Sequence, residues 1–194
     1  MKFALRLFSL HDYINEIEGL FKQYHKVLCN ITSNIVNDRA AAEDIVQDVF
    51  MNLWRKRNEI DFAIPMKGYL YRATTNGALN WIAKNKRTIP FNDALWKQNV
   101  LTSNVVEDKI NEKELRTKIK QAIDRLPPKC KAIFVLSRYE GMKYKQIAEN
   151  LNISIKTVEN QISIALDKLR KELKPYLTST LLIFLAFLIF LFLS

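Results

Sequence analysis

The stretch from Met142 to Arg170, MKYKQIAENLNISIKTVENQISIALDKLR, constrains the fold more than any other part of the chain. Its apolar residues recur at threes and fours, the period of a helix with one buried face. The spacing predicts a first helix over Tyr144 to Leu151, with Ile147, Ala148 and Leu151 inward. Asn152-Ile153-Ser154 then interrupts the pattern. Asn tolerates the left-handed backbone that such a turn needs. Ser154 is suited to cap the next helix, because its hydroxyl can accept a free backbone N–H. The second helix is expected to bury Ile155, Val158, Ile162, Ala165, Leu166 and Leu169. Lys156, Thr157, Glu159, Asn160, Ser163, Asp167 and Arg170 then face outward. The shape is a helix-turn-helix. Short polar side chains and cations in its first turns are what reading base edges in a major groove requires.

Charge supports that direction. The chain of 194 residues has 30 Lys plus Arg against 20 Asp plus Glu, a net charge of +10. The excess is uneven: residues 112–176 hold 15 basic and 8 acidic groups, residues 1–90 hold 13 and 9. Clustered cations favour a polyanion, because Lys and Arg release counterions from nucleic acid. An anionic membrane surface would be favoured by the same charge.

Four glycines, five prolines and no long two-residue alternation point to an all-α fold. Cys29 and Cys130 lie among apolar neighbours and outside any CxxC, so both read as buried thiols in a reducing compartment. The opening MKFALRLFSLHDY has an apolar run that Arg6 interrupts and Asp12 closes, too short for a signal peptide. Phe3 to Leu10 reads as part of the first helix or its lead-in.

In the N-terminal half, Asp12 to Ile35 carries Ile14, Ile17, Leu20, Phe21, Tyr24, Leu28 and Ile31 at helical spacing, and Asn37-Asp38 breaks it. The next segment, DRAAAEDIVQDVFMNLWRKR, sets Ile45, Val46, Val49, Phe50 and Leu53 on one side. Glu43, Asp44, Gln47, Asp48 and Asn52 lie opposite. Asp44 and Asp48 are four apart, a like-charge spacing that mildly opposes a helix and suits a basic partner. A solvated acidic face is the plainer reading of that helix alone. After Pro65 comes MKGYLYRATTNGALNWIAKNKR, with Leu70, Ala73 and Gly77 as a seam for close packing. Around the seam stand Tyr69, Tyr71, Arg72, Asn76, Asn80, Trp81, Lys84, Asn85, Lys86 and Arg87. Rings that stack on bases, mixed with cations that meet phosphates, suit single-stranded nucleic acid.

Thr88 to Asn111 loses periodicity and reads as a linker. Glu112 to Leu126 is a helix with Leu115, Ile119, Ala122, Ile123 and Leu126 on one side, stopped by Pro127-Pro128. Lys129 to Tyr139 is another, ended by Gly141.

The order of these parts resembles an extracytoplasmic function (ECF) sigma factor. That order is DIVQDVF, then YLYRATTNGALNWIAKNKR, a linker, a Leu-Pro-Pro hinge, and YKQIAENLNISIKTVENQISIALDKLRKEL. The resemblance spans roughly Leu20 to Leu173. It implies two small helical domains: region 2 over 10–90 and region 4 over 112–174, joined by a flexible linker at 91–111. It implies that Asp44, Gln47 and Asp48 dock on the β′ clamp helices of core RNA polymerase, with region 4 meeting the β flap. Arg72, Asn76, Asn80, Trp81 and Lys84, with Lys86 and Arg87 beside them, match the segment that opens the −10 element. Ser154, Lys156, Thr157, Glu159, Asn160, Ser163 and Arg170 lie on the helix that matches the reader of the −35 element. Promoter DNA and an anti-sigma factor are the further partners implied. Many relatives have a basic residue where Glu159 stands; a carboxylate there can accept from cytosine N4 but repels phosphate.

One stretch falls outside that pattern. Leu177 to Leu193 has no charged residue, and Leu181 to Leu193 is wholly apolar. As a helix, residues 177–193 would span roughly 25 Å, near the lower limit for a bilayer. Lys168, Arg170, Lys171 and Lys174 precede it, which by the positive-inside rule keeps the body in the cytoplasm. The expectation is a tail anchor on the inner face of the membrane; the alternative is an apolar tail folded onto the helical domains or a partner.

The rival to a sigma factor is a membrane-tethered helix-turn-helix regulator that works without polymerase. It would need neither the Asp44/Gln47/Asp48 face nor the aromatic and basic helix. An enzyme is not expected. His11 and His25 are the only histidines, and no glycine loop for phosphate, nucleophile elbow or metal cluster occurs. No cofactor and no metal is expected.

Overall fold

Two left-handed asparagines mark the sharpest turns of the chain. Asn37 (φ 62°) ends one helix, with its N–H donated to the Ser33 carbonyl at 2.8 Å. Asp38 begins the next, its carboxylate accepting the Ala41 N–H at 3.0 Å. Asn152 (φ 55°) does the same inside the helix-turn-helix. These features come from a computed structural model that describes residues 10–62, 64–85 and 112–174. The described residues form seven helices and no strand.

The first unit comprises α1 (Leu10–Val36), α2 (Arg39–Arg55) and α3 (Met66–Asn85). Ile45, Val46, Val49, Phe50 and Leu53 of α2 are buried, as their spacing predicts. They pack against Leu28, Ile31 and Ile35 of α1 and Leu70 and Ala78 of α3. The α1 stripe is buried only in its second half. Its first half is covered only in part: Tyr13, Ile17 and Leu20 pack against the core and Phe21 lies edge-on to Phe50, while Ile14 and Phe21 remain 43% and 41% exposed.

The second unit comprises α4 (Glu112–Asp124), α5 (Pro128–Arg138), α6 (Tyr144–Leu151) and α7 (Ile155–Leu173). Pro127 and Pro128 separate α4 from α5, and proline is well placed at the first turn of α5. Gly141 takes a left-handed backbone (φ 63°) after α5, as its position suggests. Val158, Ile162, Ala165 and Leu169 of α7 are buried against α5 and α6. The Cys130 thiol ties α5 to α7 by donating to Gln161 Oε1 at 2.8 Å. Cys130 is buried and Cys29 half-buried, and burial pushes both thiols above their ordinary value.

The two units are not held apart. α3 packs on α6, and α1 and α3 pack on α5, so one apolar core runs through both. No helix among the described residues is long and apolar enough to cross a membrane. The expected linker at 91–111, the lead-in from Phe3 and the tail at 177–193 lie outside the described residues.

Candidate nucleic-acid and polymerase interface

The turn into α7 is built from short-range chemistry. Ser154 Oγ accepts the Thr157 N–H at 3.0 Å and lies 2.8 Å from the Thr157 hydroxyl. The N-cap therefore holds two of the candidate reading residues in one fixed arrangement. At the start of α6, Gln146 Oε1 accepts the Lys143 N–H at 2.9 Å. The Asn152 and Ile153 N–H groups close the end of α6 on the Glu149 and Ala148 carbonyls.

This frame leaves Ser154, Lys156, Thr157, Glu159, Asn160, Ser163 and Arg170 all exposed. Lys156 Nζ lies 3.5 Å from Glu159 Oε2, so the one carboxylate among them has a cation beside it. Further along, the Lys171 hydrogen bond and charge hold the Asp167 carboxyl below its ordinary value. Ile155 corrects the sequence expectation: it is 45% exposed, not buried. It precedes the point where α5 and α6 begin to cover α7. Ile164, one turn beyond Asn160, is exposed as well. It stands outside the apolar period, so spacing does not pick it out. Lys145 and Gln146 of α6 are also exposed and are absent from the sequence-derived set; the helix-turn-helix geometry, in which the first helix crosses the phosphate backbone, is the signal that finds them.

On α2, Asp44, Gln47 and Asp48 are exposed on one side. Arg39 pairs with Glu43 at 3.0 Å, while Asp44 and Asp48 enter no ion pair among the described residues. Met51 shares that side, three residues after Asp48, and is 45% exposed. An exposed methionine past the two carboxylates adds an apolar side chain to the end of that face, which spacing alone does not reveal.

On α3, close packing sets the geometry. A Cβ on Gly77 would stand 2.8 Å from Ile45 Cγ2, so glycine lets α3 lie against α2. Leu70 is buried, and Ala73 and Gly77 are half-buried. Asn76, Asn80 and Lys84 are exposed. Arg72 and Trp81 are half-buried, and both face the second unit. Arg72 Nε donates to the Asn150 carbonyl of α6 at 3.5 Å, and Trp81 lines a cavity between the units. Lys86 and Arg87 lie outside the described residues.

An acidic helix face, an adjoining aromatic and basic helix, and a helix-turn-helix thus stand in one all-helical chain. Residues 20–88 match the family model for sigma-70 region 2, and residues 116–169 match that for sigma-70 region 4. The ECF sigma factor SigW of Bacillus subtilis is 28% identical over 172 residues, covering 84% of this chain and 90% of the relative. The sigma factor SigZ of the same organism is 26% identical over 164 residues, covering 81% and 87%. Among solved structures, the sigma factor RpoE of Bartonella quintana, crystallised with the anti-sigma factor NepR, has the same fold. Its TM-score is 0.57 at 19% identity, with 82% of this chain and 98% of that one covered. Together the two models cover more than half of the chain: it belongs to the sigma-70 family of sigma factors, is similar to ECF members of it, and directs promoter-specific transcription initiation.

Proposed function

We propose that the three surfaces divide the work of initiation between them. The α2 face docks on core RNA polymerase, with Asp44 and Asp48 meeting basic side chains of the β′ clamp helices and Met51 adding an apolar contact at the end of that face. The α3 residues Arg72, Asn76, Asn80, Trp81 and Lys84, followed by Lys86 and Arg87, open and hold the −10 strand. Rings accept unstacked bases and cations follow the phosphates. The α7 residues Ser154, Lys156, Thr157, Glu159, Asn160, Ser163 and Arg170 read −35 duplex, with the second unit seated on the β flap. Glu159 is suited to accept from cytosine N4 and Asn160 to pair bidentately with adenine. The observation that carries this reading is the exposure of the whole α7 set together with the unpaired Asp44 and Asp48.

An anti-sigma factor is the expected regulator; RpoE of Bartonella quintana is solved with the anti-sigma factor NepR, and CnrH with the cytosolic domain of CnrY. The apolar stretch 177–193 tethers the protein to the inner face of the membrane in this proposal, and the cluster Lys168, Arg170, Lys171 and Lys174 keeps the domains cytoplasmic.

Permanganate footprinting with core polymerase tests the −10 assignment. Thymines upstream of the start site should become reactive with the wild-type chain and stay unreactive with Asn80→Ala plus Trp81→Ala. Equal reactivity with both would remove these residues from the melting role. Carbonate extraction tests the tether: the full chain should stay with the membrane and the chain cut after Tyr176 should be released. Release of both would defeat the anchor.

A further inference from the structure

The buried side of α7 fixes its rotation, and so decides what the helix shows. Val158, Ile162, Ala165 and Leu169 are buried against α5 and α6, and half-buried Gln161 accepts from the Cys130 thiol at 2.8 Å. On the opposite side Thr157, Asn160 and Ile164 follow at steps of three and four, and all three are exposed. The two exposed isoleucines of α7 differ in origin. Ile155 stands three residues before Val158 and seven before Ile162, so it belongs to the buried stripe and shows only because it precedes the covering helices. Ile164 stands four residues after Asn160, on the solvent side, and is 42% exposed.

Its neighbours there are polar or charged. Ser163, Asp167 and Lys168 are exposed around it. Lys171 holds Asp167 at 2.8 Å and Lys156 stands 3.5 Å from Glu159, so each carboxylate on the helix surface near it carries a cation. The side stays fit for a polyanion, and Ile164 is the one large apolar side chain on it. A lone exposed isoleucine is ordinary on a free surface. Against base edges it is selective. In the major groove the C5-methyl of thymine is the apolar group that the bases offer, and every other edge position is a donor or an acceptor. The branch at Cβ leaves isoleucine one strongly preferred χ1 in a helix, so such a contact is preset.

We propose that Ile164 is a specificity-determining residue for promoter reading, which packs on the C5-methyl group of one thymine in the −35 major groove. The proposal rests on the sigma-factor reading above and adds an apolar base contact to the polar set on α7. Four residues of helix rise about 6 Å and successive bases about 3.4 Å, so this thymine lies within about two base pairs of the base that Asn160 meets. Opposite guanine, adenine or cytosine, Ile164 would cover a donor or acceptor and give it no partner, which costs affinity. The helix thus selects one base by an apolar contact where it has no polar group to offer.

Deoxyuridine in place of thymidine tests it, because it removes that methyl group and leaves base pairing unchanged. Core polymerase with the full chain first selects −35 sequences from a randomised promoter library. Each thymine of the selected element is then replaced singly, and holoenzyme binding is read by fluorescence anisotropy. One thymine, within about two base pairs of the position that Asn160→Ala relaxes, should bind about fourfold more weakly as deoxyuridine, the size of one buried methyl group. Ile164→Ala should bind the two forms alike, and Ile164→Val, which keeps the branch, should retain most of the difference. Selection of no thymine there, equal binding of both forms by the wild-type chain, or an undiminished difference in Ile164→Ala overturns the contact while leaving the sigma-factor reading intact. Equal binding of both forms together with weaker core binding by Ile164→Ala overturns it in favour of a protein contact. If the wild-type chain with core polymerase selects no promoter at all, the sigma-factor reading fails and the contact with it.

Discussion

Gly77 and Ile45 meet so closely that a single methyl group added to Gly77 would stand 2.8 Å from Ile45 Cγ2. This contact sets the approach of α3 to α2, and so the placement of the residues proposed for −10 relative to the face proposed for polymerase. Gly77→Ala gains about 1 kcal/mol of helix propensity. It loses about 1–3 kcal/mol to overpacking. The expected outcome is a lower Tm by calorimetry. Adding Ile45→Leu, which moves the branch off Cβ, should recover part of the loss.

Burial raises the Glu140 carboxyl above its ordinary 4.5. The folded chain then holds that proton more tightly than the unfolded one. This group favours folding below the unfolded value, and the benefit is lost as pH rises through the higher folded value. Glu140→Gln should therefore raise Tm at neutral pH. It should also flatten the fall in Tm across the window just above pH 4.5. A variant with the wild-type pH profile would contradict the assignment.

Asp44 and Asp48 are exposed and enter no ion pair among the described residues, so reversing them should leave the fold intact. Asp44→Arg with Asp48→Arg should weaken binding to core polymerase by tenfold or more, read by fluorescence anisotropy, with an unchanged circular dichroism spectrum. A large loss of helicity would show that the face is structural instead.

Asn160 stands exposed on the first turns of α7. Asn160→Ala should cost about 1–3 kcal/mol at −35 if it pairs with one base, and relax preference at that base alone. Ser154→Ala should instead cost about 1 kcal/mol of helix stability through the lost cap. The two effects separate in a paired measurement of promoter affinity and Tm.

Features set by neighbours in the chain were legible in the sequence. The turn at Asn152, the cap at Ser154 and the break at Asn37-Asp38 depend on residues within a few positions, and all stand as expected. The α2 stripe was legible because a 3.6-residue period needs no tertiary knowledge. The exposure of Ile155 is not legible, because periodicity says which side of a helix is apolar, not where the covering helices begin. The hydrogen bond from Lys131 Nζ to Asn37 Oδ1 joins residues 94 apart and leaves no local trace. The position of Met51 was readable, but its exposure depends on what α1 leaves uncovered. Two domains could be read from the break after residue 88, but their packing against each other could not.

Run-off transcription in vitro tests the sigma-factor assignment most directly. Purified core polymerase is mixed with this chain and a library of promoter fragments. Transcripts should start at defined sites in the presence of the chain and vanish with Asp44→Arg plus Asp48→Arg. If core plus the wild-type chain starts no transcript from any fragment, while the chain alone protects duplex DNA, the protein is a regulator that works without polymerase and not a sigma factor.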